Sequence, residues 1–266
     1  MSDLNSTFKT PPPTPVAILM TATVTPAKGM IGSAINNPTE RLLEYCQAFE
    51  FYLDIPDEFV NMIVILENSQ TDLSAFSKIA SERATTKTIH LINTSSDYPG
   101  AKGKGYGEFL MIDEGLGRLP EKDRLPSALF WKVTGRLKLL NLERLLKTAP
   151  SGYEVYCDLR EAPFIGDLFG GNKWMELRVF SFTIVGYDRY LRGKYDLGLC
   201  LEAFFFDIMK VALSSGAPHR IFPRFKIQPI FDGFCGHNLK SYQGVEYRTK
   251  NIVRSIFRTV LPRVWL

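Results

Sequence analysis

Four runs of apolar and β-branched residues divide the first half of the chain into regular units. They are Val16–Val24, Asn61–Leu66, Thr86–Ile92 and Ala128–Val133. The first, second and fourth runs predict strands buried within a sheet, and the third predicts a further strand. Stretches with a helical spacing of apolar residues lie between them. The resulting order of strand, helix and strand predicts a mostly parallel α/β sheet flanked by helices.

The predicted helices follow polar or glycine-containing segments. Asn37 and Pro38 are typical of a helix start, and the apolar spacing after them predicts about four turns. A second helix is predicted to end at about Arg83, and a third to pass through Phe109 and Leu116. Because ligands of such sheets bind outside the carboxyl ends of the strands, the polar segments that follow the strands form the candidate site.

The second half of the chain gives fewer signals. Glu176–Val185 alternates as a strand does, and Tyr195–Lys210 has the composition of an apolar helix. Near the end, Lys250, Arg254 and Arg258 recur every four residues opposite a row of apolar side chains. This spacing predicts a basic amphipathic helix over residues 248–266.

The positive charge of the chain is concentrated in that terminal segment. The formal net charge is +4 at pH 7; residues 248–266 carry five basic side chains and no acid, so the other residues sum to −1. A body without a basic stripe argues against a nucleic-acid binder. The terminal helix fits two interpretations: it lies on an anionic membrane surface, or it packs on the core with its basic face in solvent.

Length and composition further limit the class of protein to which the chain can belong. With 266 residues, 45% of them hydrophobic, the chain can build one large core, and no apolar run approaches the roughly 20 residues that span a bilayer. Residues 1–14, rich in Ser, Thr and Pro, predict a flexible lead-in and not a secretory signal. The four cysteines lack CxxC spacing, which favours free thiols, a cytoplasmic location and no structural zinc.

A glycine-rich segment, Pro99–Glu108, is the first candidate phosphate site. It combines four glycines with Lys102 and Lys104 just before the third predicted helix. Backbone N–H groups at a helix N-terminus suit an anion, although a mobile solvent loop is an equal alternative. The spacing matches neither a Walker A loop nor a dinucleotide fingerprint.

The second candidate follows the fourth predicted strand, which runs through Lys132 into Thr134, Gly135 and Arg136. An arginine at the carboxyl end of a buried strand faces the ligand crevice. Without a ligand it would need a buried partner, which is a costly arrangement. We therefore expect Arg136 to contact a ligand.

Three segments, in this order, resemble the nucleotide-sugar half of GT-A glycosyltransferases, especially those of family 2. The first, Ile63–Asp72, reads IVILENSQTD and is similar to a family strand that ends in VVDDGSTD. The second, LINTSSDYPGAKGKGYGE, is similar to a loop rich in Asn, Gly and basic residues that precedes a helix. The third, FWKVTGRLKLLNLERLL, stands where the family has an apolar strand that ends in Asp-x-Asp.

The resemblance implies a fold and an activity. The fold is a GT-A-like, Rossmann-related single domain over residues 15–247, in which 15–146 form the nucleotide-sugar half and 147–247 the acceptor half. The activity is transfer of a sugar from a nucleoside-diphosphate sugar to a glycan or lipid-linked acceptor. The short segments KGKGYGE and KVTGR also look like those of uncharacterised glycosyltransferases of bacterial surface-polysaccharide synthesis. In the membrane interpretation of the terminal helix, the protein would have a peripheral position on the inner face of the cytoplasmic membrane.

The resemblance also implies roles for individual residues. Glu67, Asn68 and Asp72 stand at the family's nucleoside-recognition positions. The diphosphate would then meet the two candidate phosphate segments. Their residues are Lys102, Lys104, Lys132, Thr134, Gly135 and Arg136.

One departure from the family concerns the metal. The Asp-x-Asp that holds Mg²⁺ or Mn²⁺ on the donor diphosphate is replaced by Thr134, Gly135 and Arg136. Preorganised cations can stabilise a diphosphate leaving group without a metal, and arginine can bind two phosphate oxygens at once. We therefore expect a metal-independent enzyme that needs no cofactor.

Catalysis by inversion needs a carboxylate that accepts the proton of the acceptor hydroxyl. Glu202 lies within the apolar helix, at a distance after the third segment that is comparable to the family's acidic catalytic residue, and Asp207 is the second choice. A structural role for Glu202, in a cap or a salt bridge, is nearly as well supported.

Two other functions stay open at this stage. A nucleotidyltransferase or phosphosugar transferase on a related sheet would normally carry a glycine-rich basic loop after the first strand, which Thr21–Ser33 matches only at Lys28 and Gly29. A non-catalytic, membrane-attached scaffold would have lost its metal motif together with its donor site.

Overall fold

A computed structural model of the protein describes residues 16–26, 37–95, 98–99, 102–162, 172–197, 200–216, 220–236, 239–261 and 264–266. The predicted lead-in, residues 1–14, and the Lys28–Gly29 pair lie outside these ranges. The strands within them are β1 (Val16–Ala22), β2 (Val60–Glu67), β3 (Thr88–Asn93), β4 (Leu129–Thr134), β5 (Lys138–Leu139), β6 (Val155–Tyr156), β7 (Leu159–Arg160), β8 (Trp174–Met175), β9 (Val179–Thr183), β10 (Ile221–Phe222) and β11 (Phe231–Asp232). The α-helices are α1 (Pro38–Leu53), α2 (Ser74–Glu82), α3 (Gly103–Arg118), α4 (Leu142–Thr148), α5 (Ile184–Tyr190), α6 (Leu201–Ser214) and α7 (Val245–Val260).

The largest sheet has seven strands in the order β3-β2-β1-β4-β9-β6-β10. Neighbouring strands are parallel except at β9, which runs antiparallel to both β4 and β6. Side chains of β1 alternate between two cores: Ile18 and Met20 face one, and Ala17 and Leu19 face the other. The predicted mostly parallel α/β sheet is confirmed; β1 is buried on both faces, whereas the edge strand β3 is only partly buried.

Helices cover both faces of this sheet. α1, α2 and α4 pack into the first core, whereas α3, α5 and α6 pack into the second. α1 begins as predicted, because the side chain of Asn37 accepts a 3.0 Å hydrogen bond from the backbone N–H of Thr39 and Pro38 occupies the first turn. Its 16 residues give the expected four turns.

Two predicted elements have different bounds in the structure. Glu176–Val185 does not form one strand, since it divides into β9 and α5. The hydroxyl of Thr183 accepts a 3.1 Å hydrogen bond from the N–H of Gly186 and so caps α5. The predicted helix Tyr195–Lys210 begins only at Leu201, after a short 3₁₀ turn.

The terminal helix α7 is amphipathic, but its basic face points inward. Arg254 and Arg258 are only 4% and 8% exposed. The apolar residues exposed on the outer face are Val245, Ile252, Ile256 and Val260. The expected solvated basic face is therefore wrong, and the reason is a buried acid. Nη2 of Arg258 donates a 2.6 Å hydrogen bond to Oδ2 of Asp158, a residue without exposed surface.

No helix of the described ranges combines the length and the apolar content that a bilayer-spanning segment needs.

A candidate active site at the carboxyl edge of the sheet

The sheet changes its direction of growth between β1 and β4. β2 and β3 are added on one side of β1, and β4 is added on the other. Ligands of parallel sheets bind outside the carboxyl ends of the strands at such a point. Thr21 and Thr134 are register partners there. The residues around this pair are here called the switch-point site: Thr21, Glu108, Lys132, Thr134, Gly135 and Arg136.

Lys132 lies fully buried beneath this site. Its ammonium group is 2.7 Å from Oε1 of Glu108 and donates a 2.6 Å hydrogen bond to the carbonyl of Leu177. The same Oε1 accepts a 2.6 Å hydrogen bond from the hydroxyl of Thr21. Because Lys132 has no exposed surface and its charge is compensated, it does not reach a ligand in this conformation. The expected direct contact is corrected to a supporting role that ties α3 to β1 and β4.

Gly135 allows a close approach of backbone to backbone. Its N–H donates a 3.0 Å hydrogen bond to the carbonyl of Thr21, and a Cβ at this position would lie only 2.6 Å from that oxygen and 3.1 Å from the ring of Tyr45. On the other side, the N–H of Thr134 donates to the carbonyl of Arg178 at 2.9 Å. The turn after β4 is thus clamped between two neighbouring segments.

Arg136 forms an ion pair with Glu44, which lies 92 positions earlier in the chain. Its Nη1 donates a 2.7 Å hydrogen bond to Oε2 of Glu44 in α1, and its side chain is 9% exposed. Nη2 lies against Gly236, where a Cβ would be 2.8 Å away. A ligand at this position would share the guanidinium group with Glu44.

Glu67 joins the loops that follow β1 and β2. Its buried carboxylate accepts hydrogen bonds from the backbone N–H groups of Val24 at 3.0 Å, Ser69 at 2.9 Å and Thr71 at 3.0 Å. Three backbone donors compensate the charge of this buried group. Glu67 therefore shapes the edge of the sheet where the nucleoside is expected.

Asn68 and Asp72 lie at the same edge of the sheet but differ in their exposure to solvent. Asn68 is buried, and its Oδ1 accepts a 2.7 Å hydrogen bond from the hydroxyl of Thr23. Asp72 is exposed at the start of α2, where it accepts hydrogen bonds from the hydroxyl and the N–H of Ser74 at 2.6 Å and 3.0 Å. These bonds lower the pKa of the Asp72 carboxyl.

The first turn of α3 carries the two lysines of the glycine-rich segment. Lys102 is exposed at the N-cap position, with its ammonium 5.4 Å from the centre of the Tyr106 ring. Lys104 is exposed and lies four residues before Glu108, so both are on the same face of α3. Since Glu108 contacts Thr21 and Lys132, the positive end of α3 lies near the switch-point site.

Glu202 lies close to this helix start, and Asp207 lies further along α6. Leu201 packs against Gly105, where an added Cβ would be 3.0 Å from its Cδ1. The carboxylate of Glu202 accepts a 3.8 Å hydrogen bond from the thiol of Cys200, and it forms no ion pair within the described ranges. Asp207 is exposed.

Sequence patterns missed the carboxylate Glu44 and the arginine Arg41. Arg41 is buried in α1, and its Nε donates a 2.7 Å hydrogen bond to the carbonyl of Thr23. Arg41 and Glu44 lie three residues apart on α1, so they share a helix face. No local signal distinguishes them from the other charged residues of an amphipathic helix, whereas Glu108 does stand out at the end of the glycine-rich segment.

The residues at the end of β4 do not fit a metal-bound diphosphate. Thr134, Gly135 and Arg136 offer no carboxylate, and the two acids nearby, Glu108 and Glu44, already neutralise cations. Nowhere in the part of the chain that the structure describes do three or more His, Cys, Asp or Glu side chains form a group that could hold a metal ion.

No protein-family model matches the chain, and no curated protein matches its sequence. Solved structures that resemble it include mouse xyloside xylosyltransferase 1, at 11% identity and a TM-score of 0.42 over 79% of this chain and 85% of that one. The mannosyltransferase PcManGT from Pyrobaculum calidifontis is similar at 13% identity and 0.44, over 79% and 54%. The inositol-1-phosphate CTP transferase from T. maritima is similar at 11% identity and 0.43, over 79% and 86%.

The TM-scores of these three likenesses lie between 0.42 and 0.44, and the identities between 11% and 13%. At these values the likenesses assign neither a fold family nor a function to this chain.

Proposed function

We propose that the protein is a metal-independent glycosyltransferase that moves a sugar from a nucleoside-diphosphate donor to a glycan or lipid-linked acceptor. The observation that carries the proposal is the convergence at one edge of the sheet. The turn after β4, the start of α3 and the loop after β2 come from three separate stretches of sequence, and all three meet around Thr21 and Glu67. This edge is where a parallel sheet binds its ligand.

The donor would lie across the carboxyl ends of β1, β2 and β4. The nucleoside would rest against the edge formed by Asn68 and Asp72, on loops that Glu67 holds in place. Its diphosphate would face the first turn of α3, where Lys102, Lys104 and the helix N-terminus offer positive charge. Arg136 would complete the site when the phosphate competes with Glu44 for its guanidinium group.

Sugar transfer in this site would proceed by a single displacement. The acceptor oxygen attacks the anomeric carbon while the bond from that carbon to the diphosphate oxygen breaks. The acceptor proton passes to the Glu202 carboxylate, and the electron pair of the broken bond leaves with the diphosphate. Cations at the diphosphate stabilise this developing charge, which is the role that the Asp-x-Asp metal has in the resembling family.

The exposed face of α7 supports a peripheral membrane position, consistent with a lipid-linked acceptor of surface-polysaccharide synthesis. Its apolar residues Ile252, Ile256 and Val260 form a continuous row, and such a row inserts at the headgroup boundary. Because Arg254 and Arg258 are buried, the contact depends on apolar area more than on anionic lipid. Flotation with neutral vesicles tests this: Ile256→Asp is expected to abolish binding, and unchanged binding would contradict the contact.

A nucleotide panel separates the transferase from its alternatives. Thermal unfolding of the full chain is measured with UDP, GDP and CDP in the presence of EDTA. Stabilisation by one diphosphate is expected, because a ligand that binds the folded state raises the unfolding temperature. A non-catalytic scaffold predicts no response. A nucleotidyltransferase predicts release of pyrophosphate from a nucleoside triphosphate and a sugar phosphate.

A further inference from the structure

Arginine side chains accumulate beside the switch-point site, at the carboxyl ends of β6 and β10. Five of them in the described chain surround two carboxylates, Asp158 and Glu176. The five, here called the arginine cluster, are Arg160, Arg178, Arg224, Arg254 and Arg258. Arg178 connects them to the proposed donor site, because its carbonyl accepts the 2.9 Å hydrogen bond from Thr134.

Three of the arginines bond to the two carboxylates, whereas the second oxygen of Asp158, Oδ1, is buried without a hydrogen-bond partner among the described residues. Oε2 of Glu176 accepts a 2.5 Å hydrogen bond from Nη2 of Arg160 and a second one from Nη2 of Arg178. Oδ2 of Asp158 accepts the 2.6 Å bond from Arg258. The arginines hold the pKa of both carboxyl groups below their ordinary values although burial alone would raise them.

The described residues of the cluster carry an excess of positive charge. Five guanidinium groups and two carboxylates of the described residues lie together in a mostly buried region. Burial, together with the neighbouring guanidinium groups, lowers the pKa of Arg224 to about 10 and that of Arg254 to about 9. A protein tolerates like charges at low dielectric only when something compensates them.

The guanidinium group of Arg224 is the part of the cluster whose positive charge most needs an anion. All three of its guanidinium nitrogens are buried, and none has a hydrogen-bond partner among the residues that the structure describes. Buried donors without partners are rare in folded proteins, and a bound ion is one of their ordinary explanations. A planar fork with every donor free is the group that binds phosphate oxygens in pairs.

We propose that the arginine cluster is a binding site for a phosphate group, with Arg224 as its principal donor and Arg160 and Arg254 beside it. The site is separate from the turn of Thr134–Arg136 and does not depend on sugar transfer. Its ligand is defined by chemistry: a compact oxyanion with several acceptor oxygens. The donor diphosphate and a phosphorylated acceptor are the two sources of such a group next to the switch-point site.

The test is phosphate binding by the full-length protein and by Arg224→Met. Inorganic phosphate and pyrophosphate are added at constant ionic strength, and the unfolding temperature and the calorimetric affinity are measured. The wild type is expected to be stabilised more than by an equal ionic strength of chloride, and Arg224→Met is expected to bind about tenfold more weakly. Arg248→Met removes an exposed arginine of α7 and is expected to bind as the wild type does.

The stability of Arg224→Met without phosphate separates this proposal from a simple ion pair with Asp158. If the charge of Arg224 is uncompensated without phosphate, its removal relieves repulsion, so Arg224→Met should unfold at the same or a higher temperature than the wild type. A clearly lower temperature, no phosphate response in the wild type, or a response of Arg224→Met equal to that of the wild type would overturn the proposal. Where phosphate binds as expected, a parallel loss of UDP or GDP affinity in Arg224→Met assigns the site to the donor, and unchanged nucleotide affinity assigns it to a phosphorylated acceptor.

Discussion

Nη1 of Arg136 lies 2.7 Å from Oε2 of Glu44, so the cation expected to meet the donor diphosphate is held by a carboxylate of α1. The two residues are 92 positions apart. Glu44 has two consequences in this position. It stabilises a guanidinium group that is only 9% exposed, and it competes with any phosphate for the same donors.

Removing that competition should tighten donor binding. In Glu44→Gln the guanidinium group keeps its position but loses its anionic partner, and a charge-assisted hydrogen bond becomes available to the diphosphate. We expect the Kd for the preferred nucleoside diphosphate, measured by calorimetry, to fall about tenfold. Glu40→Gln removes the same charge from an exposed position one turn earlier and should leave the Kd unchanged. Equal effects of the two variants would mean that only net charge matters.

The buried pair of Lys132 and Glu108 predicts a non-additive pair of substitutions. Lys132→Met leaves a carboxylate without its cation and is expected to lower the free energy of unfolding by about 3 kcal/mol. Adding Glu108→Gln removes the uncompensated charge, so the double variant should recover most of that loss. Urea unfolding of the four proteins measures the coupling, and strictly additive losses would argue against a direct interaction.

Gly135 is expected to tolerate no side chain. In Gly135→Ala the new methyl group would press on the carbonyl of Thr21, and overlap of this kind costs about 1–3 kcal/mol in the free energy of unfolding. Gly117→Ala is the matched control, because a Cβ there meets nothing within 4 Å. That helical substitution should stabilise the protein by about 0.5–1 kcal/mol. A harmless Gly135→Ala would show that the turn after β4 is not held as described.

The carboxylates of the arginine cluster predict a loss of stability in acid. Burial alone would raise the pKa of Glu176, but Arg178 and Arg160 hold it well below the ordinary value of 4.5. A lowered pKa in the folded state contributes stability that is present above pH 4.5 and is lost as the pH falls below it. Urea unfolding between pH 7 and pH 3 should show this decline. Glu176→Gln should be less stable at pH 7 and should decline less, and parallel curves for the two proteins would contradict this origin.

Glu202 predicts a separation of binding from catalysis. Glu202→Gln should retain the nucleotide affinity of the wild type and lose at least about a hundredfold in transfer rate, which is the usual contribution of a general base. Asp207→Asn changes an exposed carboxylate of the same helix and should keep its rate. If Asp207→Asn is the inactive variant, the two residues exchange roles.

Local pattern was sufficient for the sheet and for the helices of the first half. β1, β2 and β4 follow apolar runs, and α1 begins at the cap that Asn37 and Pro38 indicate. These features depend on neighbouring residues alone. The resemblance of short segments then placed Thr134–Arg136 and Lys104 at one edge of the sheet, because the order of strands determines which loops meet.

Ion pairs between residues far apart in the sequence could not be predicted from local pattern. Arg136 with Glu44 and Arg258 with Asp158 join residues 92 and 100 positions apart, and their distances become short only in the folded chain. The long-range pair of Arg258 and Asp158 also explains why the basic face of α7 points inward. The spacing of its residues correctly predicted one basic and one apolar face. The apolar face usually packs inward, but here the arginines do, because Arg258 binds the buried carboxylate of Asp158.

Transfer from a nucleotide-sugar in EDTA tests the central claim most directly. The full-length protein is incubated with UDP-, GDP- and CDP-linked sugars and a panel of glycan and lipid-linked acceptors, with EDTA and separately with Mn²⁺, and the free nucleoside diphosphate is quantified by mass spectrometry. We predict release of one nucleoside diphosphate at the same rate in both conditions, and a loss of that release in Glu202→Gln. Release only with Mn²⁺, or no release in either condition, would contradict a metal-independent glycosyltransferase.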